Sequence, residues 1–207
     1  MEPTEENVRA WDEAHRAPHG AEQPGLPEAV RDRLPGLDGR HVLQLGGGPA
    51  PAAELAALGA LVTVVEPDAG AIAAAQAADS TAAWIHADPH ALPHELQRGR
   101  FHLVLADAER LREPRPWATG IEAALRPGGY LLAFGEHPAA AALDGALRWR
   151  GDYFGGAPPT LGAVVTAVVR TGLVLRRLEE LPAQRAQRRQ LLQPPYPGAY
   201  VLVAARR

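Results

Sequence analysis

The chain has 207 residues, of which 46% are hydrophobic, and a formal net charge of -3. This length and apolar content allow one domain with a sizeable core. The slightly acidic net charge means that there is no excess of basic residues of the kind that binds nucleic acid or an anionic membrane. The absence of cysteine excludes disulfides, thiolate metal sites and a cysteine nucleophile, and all 21 basic residues are arginine, which excludes Schiff-base and Walker-A lysines.

Residues 1–40 predict two helices, over 5–16 and 26–34, which we expect to form a helical lid region. The opening stretch is acidic and lacks the apolar segment of a signal peptide. The sequence has no run of about 18 apolar residues. We therefore expect a cytoplasmic, soluble protein that does not associate with a membrane.

From residue 41, short apolar runs alternate with alanine-rich stretches. We predict strands at 41–45, 61–66, 82–87, 101–107 and 130–136, helices at 49–59, 68–79 and 114–126, and a short helix or turn at 91–98. Gly59 follows the first of these helices, as is typical of a helix end, and Asp68 stands at the N-cap position of the second. Strands that alternate with helices indicate a parallel sheet with helices on both faces.

The last part of the chain predicts a helix at 160–172 and two strands, at 173–181 and 199–207. Residues 182–198, between those strands, are rich in Arg, Gln and Pro and are interpreted as a surface loop. Strands that are joined without a helix pair antiparallel. We therefore predict a single α/β domain over 1–207, with a seven-stranded, mostly parallel sheet whose last strand is antiparallel.

The stretch "VLQLGGGPA", residues 42–50, leads from the first strand into three glycines. Glycine lets the backbone approach a ligand closely, and the helix that follows would offer free N–H groups at its positive end. An NAD site requires the pattern Gly-x-Gly-x-x-Gly. Gly46 and Gly48 match it, but Pro51 stands where the third glycine should be. The loop therefore predicts a nucleotide-type cofactor and matches NAD only weakly.

Two acidic residues follow the next two predicted strands. Glu66 ends the second strand, about 20 residues after Gly46, where a carboxylate can accept hydrogen bonds from both ribose hydroxyls. Asp88 follows the third strand, where a carboxylate can accept one from an adenine amino group. The alternatives are that Glu66 is a solvated glutamate at a strand end and that Asp88 is a simple turn aspartate. Because parallel strands end at one edge of the sheet, we expect both beside the glycine loop.

Together these segments resemble the class I S-adenosylmethionine (SAM)-dependent methyltransferases. Besides the glycine loop, "VTVVEPDAGAIAAA", "HADPHALP" and "FHLVLAD" are similar to the ribose, adenine and fourth-strand segments of that family. "IEAALRPGGYLLAF" is similar to its turn into the fifth strand, which dinucleotide dehydrogenases lack. This resemblance spans residues 41–136. "NVRAWDEAH", "FGEHP" and "GDYF" extend it, less specifically, to a type-11-like bacterial branch.

The resemblance implies a Rossmann-like methyltransferase fold, SAM as the cofactor and a SAM-binding core over 41–136. At the methionine end of the cofactor, the implied residues are Gln44, Gly46 and Gly48 with the intervening Gly47. Glu66 with the adjoining Pro67 would bind the ribose, and Ala87 and Asp88 would meet the adenine. Asp107 would touch the amino end. Three positions depart from the family pattern. Gln44 replaces an acid that helps to hold the cofactor's ammonium group, Ala50 replaces a glycine, and His102 replaces an aspartate. Without the charge, we expect a weaker interaction at Gln44.

We expect the acceptor of the methyl group to bind above the fourth and fifth strands, in a substrate-side region over 137–207. His137 is the first candidate for a general base; the alternative is that it caps a helix or belongs to a structural hydrogen-bond network. Tyr153, in a loop flanked by glycines, and His15, on a helix that could close over the cofactor, are weaker candidates.

We predict methylation of an O or N atom of a small molecule, with a homodimer as an open expectation. The alternative is a SAM-binding protein on the same fold that does not methylate, a cyclase or an inactive scaffold, which Gln44 and Ala50 favour. A third hypothesis, an NAD-dependent reductase, is disfavoured by the missing lysine and by "LRPGG". No metal site is predicted, because His86, His90 and His94 are interpreted as a solvated surface and no carboxylate cluster suits Mg²⁺. "RAQRRQ" is interpreted as a solvated loop, not a nucleic-acid contact.

Overall fold

The computed structural model describes residues 25–78, 80–108, 111–144, 148–155, 158–183 and 196–207. The strands are β1 (His41–Leu45), β2 (Leu61–Glu66), β3 (Ala83–His86), β4 (Phe101–Asp107), β5 (Leu125–Glu136), β6 (Val174–Pro182) and β7 (Pro197–Ala205). The helices are α1 (Glu28–Arg31), α2 (Pro49–Ala57), α3 (Ala69–Ala77), α4 (Pro114–Ala124), α5 (Pro138–Ala141) and α6 (Leu161–Arg170), and a 3-10 turn covers His94–Leu96. The helix predicted over 5–16 and most of the predicted surface loop, residues 184–195, lie outside the described residues.

The seven strands form one sheet in the order β3-β2-β1-β4-β5-β7-β6. The first five strands pair in parallel, whereas β7 runs antiparallel to both of its neighbours, β5 and β6. The chain reverses its direction of strand addition after β3, so β1 and β4 are adjacent at the centre of the sheet. The predicted seven-stranded, mostly parallel sheet with an antiparallel last strand is confirmed.

Both faces of the sheet are buried, because successive side chains on the central strands point to opposite sides. On β1, Leu43 and Leu45 belong to one apolar cluster and Val42 belongs to another, and all three are 0% exposed. Helices α4 and α6 complete the first cluster, and helices α1 and α2 complete the second. By the same alternation, Gln44 points to the side of Val42.

The helix boundaries follow from local sequence. Asp68 caps α3 as predicted, and its Oδ1 accepts a hydrogen bond of 2.7 Å from the N–H of Gly70. Helix α1 is shorter than the predicted span of 26–34, because Pro27 precedes it and Pro35 follows it closely. Among the described helices, none combines the length and the apolar character needed to cross a lipid bilayer.

The turn into β5 differs from the prediction. The sequence predicts a helix to residue 126 that is stopped by "PGG", but α4 ends at Ala124 and Leu125 already pairs with Phe101 of β4. The pairing then becomes irregular and resumes at Tyr130. Gly128 lies within this irregular stretch at a φ of 73°, where glycine is favoured. Pairing with β4 thus overrides the helical propensity of the last predicted turn.

Candidate functional site

A cavity of about 560 Å³ opens at the carboxyl ends of β1, β2 and β4. It lies where the order of strands reverses, the place where open α/β sheets bind ligands. Most of the residues predicted for the cofactor line it, namely Gly46, Gly47, Gly48, Glu66, Pro67, Asp88 and Asp107. Ala87 adjoins Asp88 and Gln44 lies two residues before Gly46, but neither is among the residues that line the cavity.

The glycine loop between β1 and α2 has a backbone that favours glycine at three positions in a row. The φ angles of Gly46, Gly47 and Gly48 are 70°, 81° and 70°, in the left-handed region. Gly48 also has a ψ of -164°, a combination that is almost restricted to glycine. The N–H of Gly46 donates to the carbonyl of Val65 at 3.0 Å, which fixes the loop to β2. Bare backbone is thereby presented to the cavity.

Helix α2 begins directly after the loop, with Gly48 at its N-cap. Pro49 and Pro51 occupy the first and third helical positions and carry no N–H, so this helix end offers fewer donors than the sequence analysis expected. Ala50 is the second helical residue, and its methyl group therefore stands on ordinary helical backbone. Its departure from the family pattern introduces no backbone strain.

Gln44 lies beneath the glycine loop and is 1% exposed. Its Nε2 donates two hydrogen bonds of 2.8 Å, to the carbonyls of Gly46 and Gly48. Since only the nitrogen of the amide can donate to two carbonyls, these contacts fix its orientation. Its Oε1 is buried and has no hydrogen-bond partner within the described ranges. Gln44 therefore acts on the loop itself.

Two carboxylates at the cavity have different surroundings. Glu66 is 7% exposed, and its Oε1 accepts a hydrogen bond of 3.1 Å from the N–H of Asp68. A carboxylate can accept further hydrogen bonds, as two ribose hydroxyls would require. The side chain of Asp88 is 62% exposed, and its Oδ1 accepts from the N–H of His90 at 2.8 Å. Ala87 donates its N–H to the carbonyl of Glu66 at 3.3 Å, which joins the two segments.

His90 lines the cavity, although the sequence analysis assigned it to a solvated surface. Its Nδ1 lies 3.4 Å from Oδ1 of Asp88, and its Nε2 is buried without a hydrogen-bond partner in the described part of the chain. Burial lowers the pKa of His90, an effect that the negative charge of Asp88 partly offsets, so the ring is neutral at neutral pH. The aspartate turn at residues 88–90 is the signal that could have placed it here.

No metal centre accompanies these residues in the described parts of the chain, where no group of three or more histidines and carboxylates could hold an ion. His86 places its Nε2 3.1 Å from the carbonyl of Pro67, which uses that nitrogen at the end of β3. His94 begins the 3-10 turn and is exposed. The three histidines of this segment therefore have separate surroundings.

Tyr200, on β7, is a second residue that the sequence analysis missed. It is 3% exposed, and burial together with the negative charge of Asp107 raises the pKa of Tyr200 to about 12. Asp107 ends β4 and lines the cavity beside Phe134, its partner on β5. Tyr200 therefore stays a protonated phenol at neutral pH and lies close enough to Asp107 for the charge of that carboxylate to affect its pKa. A single tyrosine in an apolar strand gives no signal in the sequence that it will lie near Asp107.

His137, the first candidate for catalysis, is 4% exposed and caps α5. Its Nδ1 accepts a hydrogen bond of 3.1 Å from the N–H of Ala139, which leaves the proton of the neutral ring on Nε2. That Nε2 lies 2.9 Å from Oε1 of Glu180, an ion-pair distance without the alignment of a good hydrogen bond. The backbone N–H of His137 donates to the carbonyl of Gly198. His137 is not among the residues that line the cavity.

Tyr153 belongs to an aromatic group at the surface. Its ring meets those of Trp149 and Phe154 edge to face, at centroid distances of 6.5 Å and 5.0 Å. Phe154 is 86% exposed and Trp149 is 61% exposed. This group is also not among the residues that line the cavity, and His15 lies outside the described residues.

No protein-family model matches the chain, and no curated protein matches it either. Solved structures do resemble it. A SAM-dependent methyltransferase from Mesorhizobium loti has 24% identity and a TM-score of 0.71, with 86% of this chain and 96% of that chain covered. A TehB-like SAM-dependent methyltransferase from Corynebacterium glutamicum has 18% identity and a TM-score of 0.60, with 98% and 95% covered. The [4+2]-cyclase SpnF has 15% identity and a TM-score of 0.59, with 86% and 79% covered.

At these sequence identities, the likeness to the solved structures shows the fold alone. The similar structures include methyltransferases and a cyclase, so one architecture accommodates more than one activity. The order of strands in this chain, its antiparallel β7 and the helices on both faces match that architecture. The chain therefore has the Rossmann-like fold of the class I SAM-dependent methyltransferases.

Proposed function

We propose that the chain is a SAM-dependent methyltransferase that transfers a methyl group to an O or N atom of a small molecule. The observation that carries this proposal is the convergence of the glycine loop, Glu66 and Asp88 on one cavity, from the ends of three neighbouring strands. Along the sheet edge these groups present bare backbone, a buried carboxylate and an exposed carboxylate. That sequence of groups suits the methionine, ribose and adenine parts of SAM in turn.

The residues present fit this cofactor. A Cβ added at Gly46 would stand 3.8 Å from Cβ of Asp107, an ordinary van der Waals contact, so glycine is favoured there by its φ of 70° and not by lack of space. SAM supplies an activated methyl group, and the protein has to bind it, orient it and exclude water. Glu66 would accept from the ribose hydroxyls, Asp88 with Ala87 would meet the adenine, and Asp107 would face the amino end.

A hydroxyl or amine acceptor also has to lose a proton. His137 is the proposed base, with Tyr153 and His15 as weaker candidates. In the structure the Nε2 of His137 faces Glu180 at 2.9 Å. With Nδ1 accepting from the N–H of Ala139, the neutral ring carries its proton on Nε2 and its lone pair on Nδ1. We propose that Nδ1 gives up this cap when both ligands are present, turns toward the acceptor and takes its proton, while Nε2–H faces Glu180.

A protein that binds SAM without methyl transfer is the second candidate. Gln44 favours it, because its neutral amide is turned to the loop and places no negative charge near the ammonium group of SAM. One of the similar structures is a [4+2]-cyclase. The two candidates differ in one product: only a methyltransferase converts SAM into S-adenosylhomocysteine in the presence of its acceptor.

Calorimetric titration of the cofactor-stripped protein with SAM, S-adenosylhomocysteine and NADH tests the shared part of both candidates. We expect both adenosyl ligands to bind and NADH not to bind. Glu66→Ala should weaken adenosyl binding about tenfold or more, because it removes hydrogen bonds to a charged acceptor. Glu95→Ala, at an exposed residue of the 3-10 turn, is the matched control and should bind as the wild type does. Absence of adenosyl binding would overturn both candidates.

The family branch, the division of the chain into regions, its location and its oligomeric state stay predictions from the sequence. They are the type-11-like bacterial branch, the division into a lid region over 1–40, a core over 41–136 and a substrate-side region over 137–207, the cytoplasmic location and the homodimer. Sedimentation of the purified protein measures the last of these. A screen of hydroxyl- and amine-bearing small molecules for S-adenosylhomocysteine release would identify the acceptor.

A further inference from the structure

Both N–H groups of the Gln44 side-chain amide donate hydrogen bonds. Nε2 carries two N–H groups, and the carbonyls of Gly46 and Gly48 accept one each at 2.8 Å. Gln44 is 1% exposed and is not among the residues that line the cavity. It can therefore influence a ligand only through the loop. Three successive glycines have many alternative conformations, so an unrestrained loop would lose much entropy on ordering.

We propose that Gln44 is a positioning residue whose amide is a latch, the pair of hydrogen bonds that holds the glycine loop in its binding conformation before a ligand arrives. An acid at this position could not do so. A carboxylate oxygen in place of Nε2 would stand near two carbonyl oxygens with no proton between them, and would need a cation to bridge them. The latch itself is independent of the proposed function, whereas its effect on adenosyl ligands rests on that function.

The latch predicts how ligands should respond to substitution at Gln44. S-adenosylhomocysteine carries an ammonium group at its amino-acid end, and 5′-methylthioadenosine lacks that end. If Gln44 only orders the loop, its loss should weaken both ligands by the same factor. If a carboxylate replaces the amide, its negative charge acts beyond the loop and attracts the ammonium group of S-adenosylhomocysteine, whereas 5′-methylthioadenosine has no such group.

The experiment compares the wild type with Gln44→Met, which has similar length and no donor, and with Gln44→Glu. Gln44→Met should lower the Tm of the ligand-free protein and should weaken both ligands about fivefold to tenfold, equally. Gln44→Glu should also lower that Tm, and should shift the affinity ratio toward S-adenosylhomocysteine by about fivefold or more. Leu103→Val, at a buried position of β4, is the control for general destabilisation: it should lower the Tm and leave both affinities within about twofold.

Each contrary result has a distinct meaning. If Gln44→Met keeps the wild-type Tm and both affinities, the latch is overturned. If Gln44→Met weakens S-adenosylhomocysteine alone, Gln44 contacts the amino end directly, which also overturns the latch. If the wild type binds neither ligand, the proposed function fails. The latch can then still be tested without a ligand, by the Tm and by the amide hydrogen exchange of residues 46–48. If both are the same in Gln44→Met as in the wild type, the latch is overturned.

Discussion

Replacement of Gly48 by alanine should destabilise the ligand-free protein by about 1–3 kcal/mol. The cost arises from the backbone, because φ is 70° and ψ is -164° at Gly48, a region that residues with a Cβ avoid. Alanine would either keep this strain or shift the loop, and a shift would break the 2.8 Å hydrogen bond from Gln44. For a domain of this size, such a loss lowers Tm by roughly 2–12 °C.

Urea denaturation followed by circular dichroism measures this free energy of unfolding, with the slope as a check on the unfolding mechanism. Gly36→Ala is the matched control. Gly36 is exposed, and a Cβ added there would meet nothing within 4 Å. That substitution should therefore be neutral or stabilise the protein by about 0.4–1 kcal/mol. A value for Gly48→Ala within about 0.5 kcal/mol of the wild type, at equal slope, would refute the assigned loop conformation.

Two buried side chains and the partly buried His90 give further measurable expectations. Since the pKa of Tyr200 is about 12 when folded and about 10 when unfolded, the free energy of unfolding should fall as pH rises between these values, and Tyr200→Phe should reduce that fall in denaturation experiments. Trp117→Ala should cost about 3–5 kcal/mol in the same assay, and Trp117→Phe clearly less, because it removes a buried N–H without a described partner. In an NMR titration the pKa of His90 should lie below its ordinary value and fall further in Asp88→Asn; an equal or higher pKa in the variant would contradict the assigned contact.

The sheet and the position of the cavity could be predicted because their signals are local. Each strand carries an apolar run of its own, and parallel strands that alternate with helices must end at a common edge. That rule alone brings Glu66 and Asp88 to the same cavity as the glycine loop, and the structure shows all of them there. The parallel pairing of the first five strands follows the same logic, since an α-helix or, between β3 and β4, a 3-10 turn separates successive strands.

The parts that the sequence analysis missed depend either on the conformation of a loop or on contacts between distant residues. Gln44 was expected to meet a ligand, but its hydrogen bonds to the loop exist only because three positive φ angles turn two carbonyls back toward it. Tyr200 reaches the neighbourhood of Asp107 through the placement of β7, which no local pattern encodes. The early start of β5 at Leu125 likewise reflects a pairing partner, Phe101, that is far away in the sequence.

The position of β7 has a consequence for synthesis of the chain. It is the last of the described strands in chain order, yet it lies between β5 and β6 in the sheet. During translation the edge of β5 from Tyr130 to Glu136, which pairs with β7 in the folded protein, has no native partner until β7 leaves the ribosome. An unpaired apolar edge can recruit other nascent chains. This aggregation risk, and the need for a chaperone, therefore lasts until β7 has been synthesised.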